Sequence, residues 1–278
     1  MTVTAPPSAS LDARPLHPFL GAELSGELLH DELDPDQVAE LRRLVLEHKV
    51  LVFRGAALDP EPQIRFARYL GEPFARPDYV YGHLDGWDEI VKIGPSPVGQ
   101  RPSEWHQGGT WKANPWIFEL LQLQALPPVG GDTIFADLQA AYRALSPDLQ
   151  RLVDGLRAAH HPDVAFKDEN GNIKSPTSEL IDHPLVLTHP ETGEKGLYLT
   201  SRITHLIGLP PAESRAILAF LRTHASDVTF QYRHHWQQPG DLVIWDNRSV
   251  WHYAVDDYGD AERYGHKLSI EGGDWTPA

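Results

Sequence analysis

Two spacings of hydrophobic residues alternate along the first third of the chain. Residues 34–49 carry apolar side chains at helical spacing, with acidic residues at the start and basic residues towards the end, namely Val38, Leu41, Leu44 and Val45 on the apolar face. Residues 50–55 follow at once as a buried strand that a glycine stops, and residues 61–71 predict a second short helix. Residues 78–115 are aromatic and irregular, which predicts a long loop over a cavity.

Strand patterns dominate the rest of the chain. Residues 118–126 predict a strand with Gln122 and Gln124 on one face, and a turn rich in Gly and Pro leads into another strand. Other elements are predicted as follows: two helices over 138–160 split at Ser146-Pro147 with Ser146 as N-cap, a hairpin over 183–199, a helix over 210–225, and two strands over 240–273. We therefore expect a loose tail over residues 1–15 and a single domain over 16–278, a β-sandwich or barrel with flanking helices.

The composition limits the classes of partner that the protein is expected to bind. The 278 residues are 41% hydrophobic and carry a formal charge of -15, from 24 basic and 39 acidic residues. Such a surface repels nucleic acid polymers and anionic lipid, so we expect neither as a partner, although a small anionic substrate is compatible with a few pocket cations. We see no signal peptide or membrane-spanning run and expect a cytoplasmic protein; homo-oligomerisation is left open.

Two histidines are candidates for a metal site. The chain has no cysteine, so a transition metal would be held by histidine and carboxylate. His106 lies in "SEWHQGGTW", and His252 lies where a strand is predicted to end, in "WDNRSVWHYA". A lone histidine is more often a solvated or core residue, so the pair depends on its context.

Five motifs supply that context. The segments "WHQGGTW", "LPPVGGDTIFAD", "THPETGEKGLYL", "PGDLVIWDNRSVWHYA" and "ERYGHKLSIEG" occur in the same order as in the TauD/TfdA (taurine dioxygenase) family of Fe(II)/2-oxoglutarate-dependent oxygenases, which the chain resembles after its first 15 residues. The resemblance implies a double-stranded β-helix, a jelly-roll (cupin-like) barrel. It also implies Fe(II), 2-oxoglutarate and O2 as cofactor and cosubstrates.

The family pattern places functional residues in this chain. It implies iron ligands at His106 and His252, and 2-oxoglutarate anchors at Thr133 and Arg263. Neutral imidazole suits Fe(II), and an arginine fork pairs bidentately with a carboxylate. The resemblance also implies that Asp246 and Arg248 support the strand that presents His252.

The chain departs from the family at Gly108, where the third iron ligand, an aspartate, is expected. Glycine or alanine replaces this aspartate in the radical halogenases, where a halide takes the position. The resemblance therefore implies a halide site (chloride or bromide) at Gly108 and chlorination of an aliphatic C–H bond, with decarboxylation of 2-oxoglutarate to succinate and CO2. Three alternatives remain: a hydroxylase, a non-catalytic binding relative, or a chain whose aspartate has been changed. A carboxylate reaching in from elsewhere, for which Asp132 is a candidate, would remove the halogenase hypothesis.

The sequence says less about the residues that contact the substrate than about those that bind iron and 2-oxoglutarate. Lys267 lies four residues after Arg263, where taurine dioxygenase has a substrate-binding arginine, so we expect an anionic substrate; a structural ion pair of Lys267 is the alternative. Tyr81 matches a substrate-facing aromatic residue of the family, and Asp78 stands in place of a substrate-binding histidine. The substrate is thus predicted to be a small molecule other than taurine.

Overall fold

Strands and helices alternate along a chain whose computed structural model describes residues 11–75, 79, 82–94, 103–161, 166–167, 173–174 and 179–272. In these ranges the strands are β1 (Arg14–Pro15), β2 (Ala22–Ser25), β3 (Val50–Arg54), β4 (His83–Leu84), β5 (Trp87–Ile93), β6 (Trp116–Ala125), β7 (Thr133–Asp137), β8 (Arg157–His160), β9 (Phe166–Lys167), β10 (Ile173–Lys174), β11 (Ile181–Pro184), β12 (Val186–Thr188), β13 (Lys195–Leu197), β14 (Ile203–Leu206), β15 (Gln231–His234), β16 (Leu242–Asp246), β17 (Val250–Ala254) and β18 (Tyr264–Glu271). The α-helices are α1 (Pro35–His48), α2 (Pro60–Arg68), α3 (Leu138–Arg143), α4 (Pro147–Asp154) and α5 (Pro211–Ala225), with short 3-10 helices at Gly26–Leu29 and Val228–Phe230. None of the helices in the described ranges has the length and apolarity needed to span a bilayer.

Two sheets face each other around the interior. The larger has eight strands in the order β1-β2-β3-β16-β6-β18-β5-β4, and the smaller has the order β15-β7-β17. Among the strands of the described ranges, pairing is antiparallel except between β2 and β3, which are parallel. This is the mostly β barrel with flanking helices that the sequence predicts.

The alternation of β6 shows how the core is divided. Leu121 and Leu123 join Phe135 of β7 in a buried cluster between the two sheets. Leu120 points to the opposite face and packs in the cluster that includes α1 and α2. Since side chains two residues apart share a face, Glu119 points the same way as Leu121. β6 therefore carries a carboxylate into the barrel interior.

Most predicted elements are confirmed, including the α1 helix, the hairpin of β12 and β13, and the N-cap of α4, where the Ser146 hydroxyl accepts from the Leu149 amide. Residues 138–160 end in a strand rather than a helix, because the helix stops at Gly155 and β8 pairs with β11. The predicted loop over 78–115 contains β4 and β5, and the segment 240–273 has three strands rather than two.

The chain's start bears on the predicted tail. Arg14–Pro15, inside the stretch predicted as a loose tail, pairs with β2, and residues 1–10 lie outside the described residues. The single domain over 16–278 stays a prediction.

Candidate active site

The fold brings the two candidate histidines into direct contact. His106 and His252 form an isolated antiparallel bridge, in which the amide of each donates to the carbonyl of the other over 3.1 Å. Their ring centroids lie 4.0 Å apart. His252 also packs against Trp245 and Phe135, with ring centroids at 4.8 and 6.5 Å. Residues 146 positions apart in the chain thus share one wall of the interior.

Both imidazoles are held neutral. Burial lowers the pKa of His106 to about 4, against the opposing effect of its hydrogen bond to the Glu104 carbonyl. Burial also lowers the pKa of His252 far below its usual range, and the neighbouring His106 and Lys267 act in the same direction. A neutral imidazole offers one nitrogen lone pair, which is the form that binds a metal ion.

The hydrogen bonds of these rings leave nitrogen atoms free for a metal. His106 Nδ1 lies 2.8 Å from the Glu104 carbonyl, which fixes it as the N–H and leaves Nε2 as the lone pair. His252 Nδ1 is buried and has no hydrogen-bond partner among the described residues. Two neutral imidazoles side by side fit Fe(II) as a donor pair.

The space at Gly108 is filled from another strand. A Cβ placed on Gly108 would lie 2.5 Å from Glu119 Oε1 and 2.6 Å from both Cδ and Oε2. Gly108 does not have a positive φ, so its backbone would accept other residues. Asn247 holds this backbone, since its side chain accepts from the Gly108 amide and donates to the Gly108 carbonyl, both over 2.8 Å. The Glu119 carboxylate therefore lies where the sequence predicts an open halide position, and the halide site itself stays a prediction.

Glu119 is fully buried, and its two oxygens differ. Oε1 pairs with the Lys267 ammonium and accepts from the Ser269 hydroxyl at 3.2 Å. Oε2 has no hydrogen-bond partner within the described part of the chain. In this arrangement the residues described include no group of three or more His, Asp or Glu side chains close enough to hold a metal ion.

The two predicted 2-oxoglutarate anchors also come together. Arg263 donates to the Gly131 carbonyl at 2.9 Å and lies 3.5 Å from the Thr133 hydroxyl, which also accepts from Trp236 at 3.2 Å. Arg263 is 6% exposed and forms no ion pair with any described residue. A buried guanidinium without a carboxylate partner fits an anionic ligand.

Asp246 and Arg248 form a buried network beside the strand of His252. Asp246 accepts from the Arg248 backbone amide and from two guanidinium nitrogens over 2.8–2.9 Å, and it lies 2.9 Å from His189 Nε2. Burial alone would raise the pKa of Asp246, but Arg248 and His189 outweigh it and hold the pKa well below its usual range. Arg248 also pairs with Glu191 at 2.7 Å. The network anchors the turn between β16 and β17.

Four other predicted residues either lie outside the described residues or make contacts other than those expected of a metal or substrate ligand. Asp78 and Tyr81 are outside the described residues, so their substrate contacts stay predictions. Lys267 pairs with Glu119, which is the ion-pair alternative left open above. Asp132, the carboxylate considered as a replacement, instead accepts from Arg233 at 2.6 Å and lies 2.9 Å from His235 Nδ1.

Glu119 is the residue that sequence reasoning missed. The family motif places the carboxylate two positions after His106, and Asp132 is the distant candidate that the sequence offers, whereas Glu119 lies thirteen positions after His106 on β6. The sequence does indicate that Glu119 is buried, because Glu119 alternates with Leu121 and Leu123 and so lies on the same inward face. A lone carboxylate among inward apolar residues needs a partner, but the alternation does not show which residue it contacts.

Comparisons with known proteins identify the family of the chain. Residues 12–269 match the model of the "Taurine catabolism dioxygenase TauD, TfdA family". An alpha-ketoglutarate-dependent sulfate ester dioxygenase of Pseudomonas putida is 34% identical, covering 97% of this chain and 92% of that protein. An alpha-ketoglutarate-dependent 2,4-dichlorophenoxyacetate dioxygenase of Cupriavidus pinatubonensis is 36% identical, covering 87% of this chain and 91% of that protein.

Solved structures give the same result. A taurine dioxygenase from Burkholderia xenovorans superposes with a TM-score of 0.83 at 36% identity, covering 95% of this chain and 90% of that one. AAD-2, solved in complex with Mn(II) and N-oxalylglycine, superposes with a TM-score of 0.79 at 26% identity, covering 95% of this chain and 98% of that one. The chain therefore belongs to the TauD/TfdA family of Fe(II)- and 2-oxoglutarate-dependent dioxygenases.

Proposed function

We propose that this protein is an Fe(II)/2-oxoglutarate-dependent dioxygenase that hydroxylates a small anionic organic molecule. One observation carries the choice between hydroxylation and halogenation: the Glu119 carboxylate lies in the space that Gly108 leaves. A halide anion there would have to share a buried site with a carboxylate, and like charges at close range in a desolvated site are unfavourable. The relatives compared above are named as dioxygenases, which supports the same choice.

The roles of the protein's residues follow from their contacts. His106 and His252 would hold Fe(II) through ring nitrogens, and Arg263 with Thr133 would bind the distal carboxylate of 2-oxoglutarate through a charge-assisted pair and a hydroxyl hydrogen bond. When bound, Fe(II) and 2-oxoglutarate supply O2 activation coupled to decarboxylation of the cosubstrate to succinate. Trp245 and Phe135 form an apolar wall beside His252 that keeps water away from it.

The substrate class is inferred from charge. Lys267 lies close enough to both histidines for its charge to lower the pKa of each. Its ammonium has three donors, of which the bond to Glu119 uses one, so a substrate anion can share it. The sulfate ester and the phenoxyacetate in the relatives' names are both anionic, which supports this class.

Product analysis tests the proposal. We would incubate the Fe(II)-loaded protein with 2-oxoglutarate, labelled dioxygen, bromide and two probes, hexyl sulfate and 2,4-dichlorophenoxyacetate, the latter chosen from a relative's name. We expect probe-dependent succinate and a product that carries one labelled oxygen, or the phenol or sulfate released when a carbon beside the ether or ester oxygen is hydroxylated. A brominated product without labelled oxygen would refute hydroxylation.

Halogenation stays the second candidate because of Gly108 itself, which supplies no carboxylate. It would require Glu119 to leave its position. Anomalous diffraction from crystals grown without oxygen in Fe(II), 2-oxoglutarate and bromide separates the two functions. A bromide bonded to iron beside Gly108 would support the halogenase, and a protein carboxylate there would support the hydroxylase.

A further inference from the structure

We infer that Glu119 is the acidic ligand of the iron site, supplied from β6 in place of the aspartate that Gly108 lacks. The inference rests on the part of the proposed function that has His106 and His252 hold Fe(II). It concerns a residue outside the family's ligand motif, in which the carboxylate follows the first histidine by two positions.

The Glu119 carboxylate lies close to the place that an aspartate side chain at position 108 would occupy. An aspartate oxygen lies about 2.4 Å from its own Cβ, given bond lengths of about 1.5 Å for C–C and 1.2 Å for C=O. The oxygens of Glu119 lie 2.5 and 2.6 Å from the Cβ position of Gly108. The carboxylate of Glu119 is thus at the distance from position 108 at which an aspartate would place its own.

The two oxygens of Glu119 have different hydrogen-bond partners. Lys267 and Ser269 both bind Oε1, whereas Oε2 is buried and unpartnered among the described residues. A carboxylate that binds a metal through one oxygen has its other oxygen held by neighbouring donors. Glu119 shows this division of its two oxygens.

Asp137 is a buried carboxylate that forms an ion pair with a lysine outside the candidate site, and both of its oxygens have partners. Asp137 is fully buried and pairs with Lys49 at 2.6 Å through Oδ2, and its Oδ1 accepts from the Gln139 and Ala140 amides at 2.9 Å. An unsatisfied buried acceptor costs about 1–3 kcal/mol, so structural carboxylates use both oxygens. No other buried carboxylate oxygen in the described ranges lacks a partner.

The Glu119 side chain must move to join the two histidines at a metal ion. Glu119, His106 and His252 do not form a three-residue metal cluster as the side chains stand, so the carboxylate must rotate about its side-chain bonds to complete one. Because residue 108 has no side chain, no Cβ at that position obstructs this rotation. The longer side chain of glutamate suits a ligand that crosses from a neighbouring strand.

Metal affinity tests the inference without the substrate. We would titrate Mn(II) into the full-length protein by calorimetry, comparing the unaltered chain with Glu119→Gln and with Asp137→Asn as the matched control from a buried lysine pair. Replacing residues that merely support metal ligands costs about 10–100-fold in affinity, so we expect Glu119→Gln to lose about 100-fold or more. Asp137→Asn should bind Mn(II) as the unaltered chain does. Mn(II) affinity unchanged in a folded Glu119→Gln variant would overturn the inference.

A double variant that moves the carboxylate from position 119 to position 108 tests the inference even if Glu119→Gln fails to fold. Gly108→Asp alone places its side chain against Glu119, whereas Gly108→Asp with Glu119→Ala restores a carboxylate in cleared space. The double variant should regain most of the Mn(II) affinity that Glu119→Ala loses. If the double variant stays as weak as Glu119→Ala while its circular dichroism is native, a carboxylate at this place does not bind the metal and the inference fails.

The two proposals fail in different ways. If the unaltered chain forms hydroxylated product and Glu119→Gln binds Mn(II) with unchanged affinity, Glu119 is not a metal ligand, while the proposed function is supported. Lost Mn(II) affinity in Glu119→Gln, together with halogenated product from the unaltered chain, would support the ligand and refute hydroxylation.

Discussion

A single methyl group at position 108 tests whether Glu119 occupies this space. The Cβ of Gly108→Ala would lie 2.5–2.6 Å from three carboxylate atoms of Glu119. The carboxylate must move, and it is held by Lys267 and Ser269, so moving it loosens those contacts. Overpacking of this kind costs about 1–3 kcal/mol, and we expect Gly108→Ala to lower the free energy of unfolding by that amount.

The loss of unfolding free energy caused by Gly108→Ala should depend on which residue stands at position 119. Glu119→Ala alone leaves Lys267 without its partner, and breaking a buried pair costs about 3–5 kcal/mol. The lysine side chain retains 20% exposure, so water recovers part of this and we expect a cost at or below the lower limit. In the double variant the clash is gone, so Gly108→Ala should then cost almost nothing. The predicted coupling between the two positions is therefore about 1–3 kcal/mol, close to the overpacking cost itself.

Urea unfolding of the four proteins, followed by fluorescence of the eight tryptophans, gives the four free energies. Equal slopes against urea would show that the variants unfold from comparably compact states. Additive costs within about 0.5 kcal/mol would refute the reasoning, because non-interacting positions behave in that way.

Three further outcomes follow from the site. Arg263→Gln should weaken N-oxalylglycine binding, measured by calorimetry, with Mn(II) affinity unchanged; the opposite pattern would show that Arg263 is not the cosubstrate anchor. Gly131→Ala should weaken N-oxalylglycine binding as well, because φ is 73° there and a Cβ would lie 3.1 Å from Arg263 Cδ; unaltered binding would contradict this. Asp246→Asn should lower the free energy of unfolding by about 3 kcal/mol, the lower end of the range for breaking a buried ion pair, since Arg248 loses Asp246 but keeps Glu191; a loss below about 1 kcal/mol in urea would refute that role.

The fold could be predicted because its elements obey local rules. Residues 34–49 have a capping aspartate, Asp34, followed by an apolar stripe, and α1 begins and ends where these signals place it. The sequence pattern does not predict β5, because Ile90 and Val91 are buried side by side and the segment lacks the alternation that marks a half-buried strand. The alanines of β8 favour a helix, and its pairing with β11 on one side and β14 on the other makes the segment a strand.

Some residues of the candidate site could be predicted from the sequence and others could not. Arg263 and Thr133 meet as the motif spacing implies, since a family motif already encodes which strands are neighbours. Glu119 could not be found by spacing, because its contact with Gly108 depends on how β6 lies beside the segment after His106. Long-range contacts of this kind follow from sheet packing and leave no periodic signal in the chain.

The contact between positions 108 and 119 also constrains related sequences. An aspartate at 108 needs the space that the Glu119 carboxylate fills, and two carboxylates in one buried site repel each other, so one chain cannot hold both at these positions without rearrangement. We therefore expect relatives with aspartate at position 108 to have a small or neutral residue at 119, and relatives that share Gly108 and lack Glu119 to leave the position open for a halide. An alignment in which aspartate at 108 and glutamate at 119 occur together freely would show that the two carboxylates do not compete. If they do exclude each other, glycine at 108 alone does not identify a halogenase, and residue 119 must be read with it.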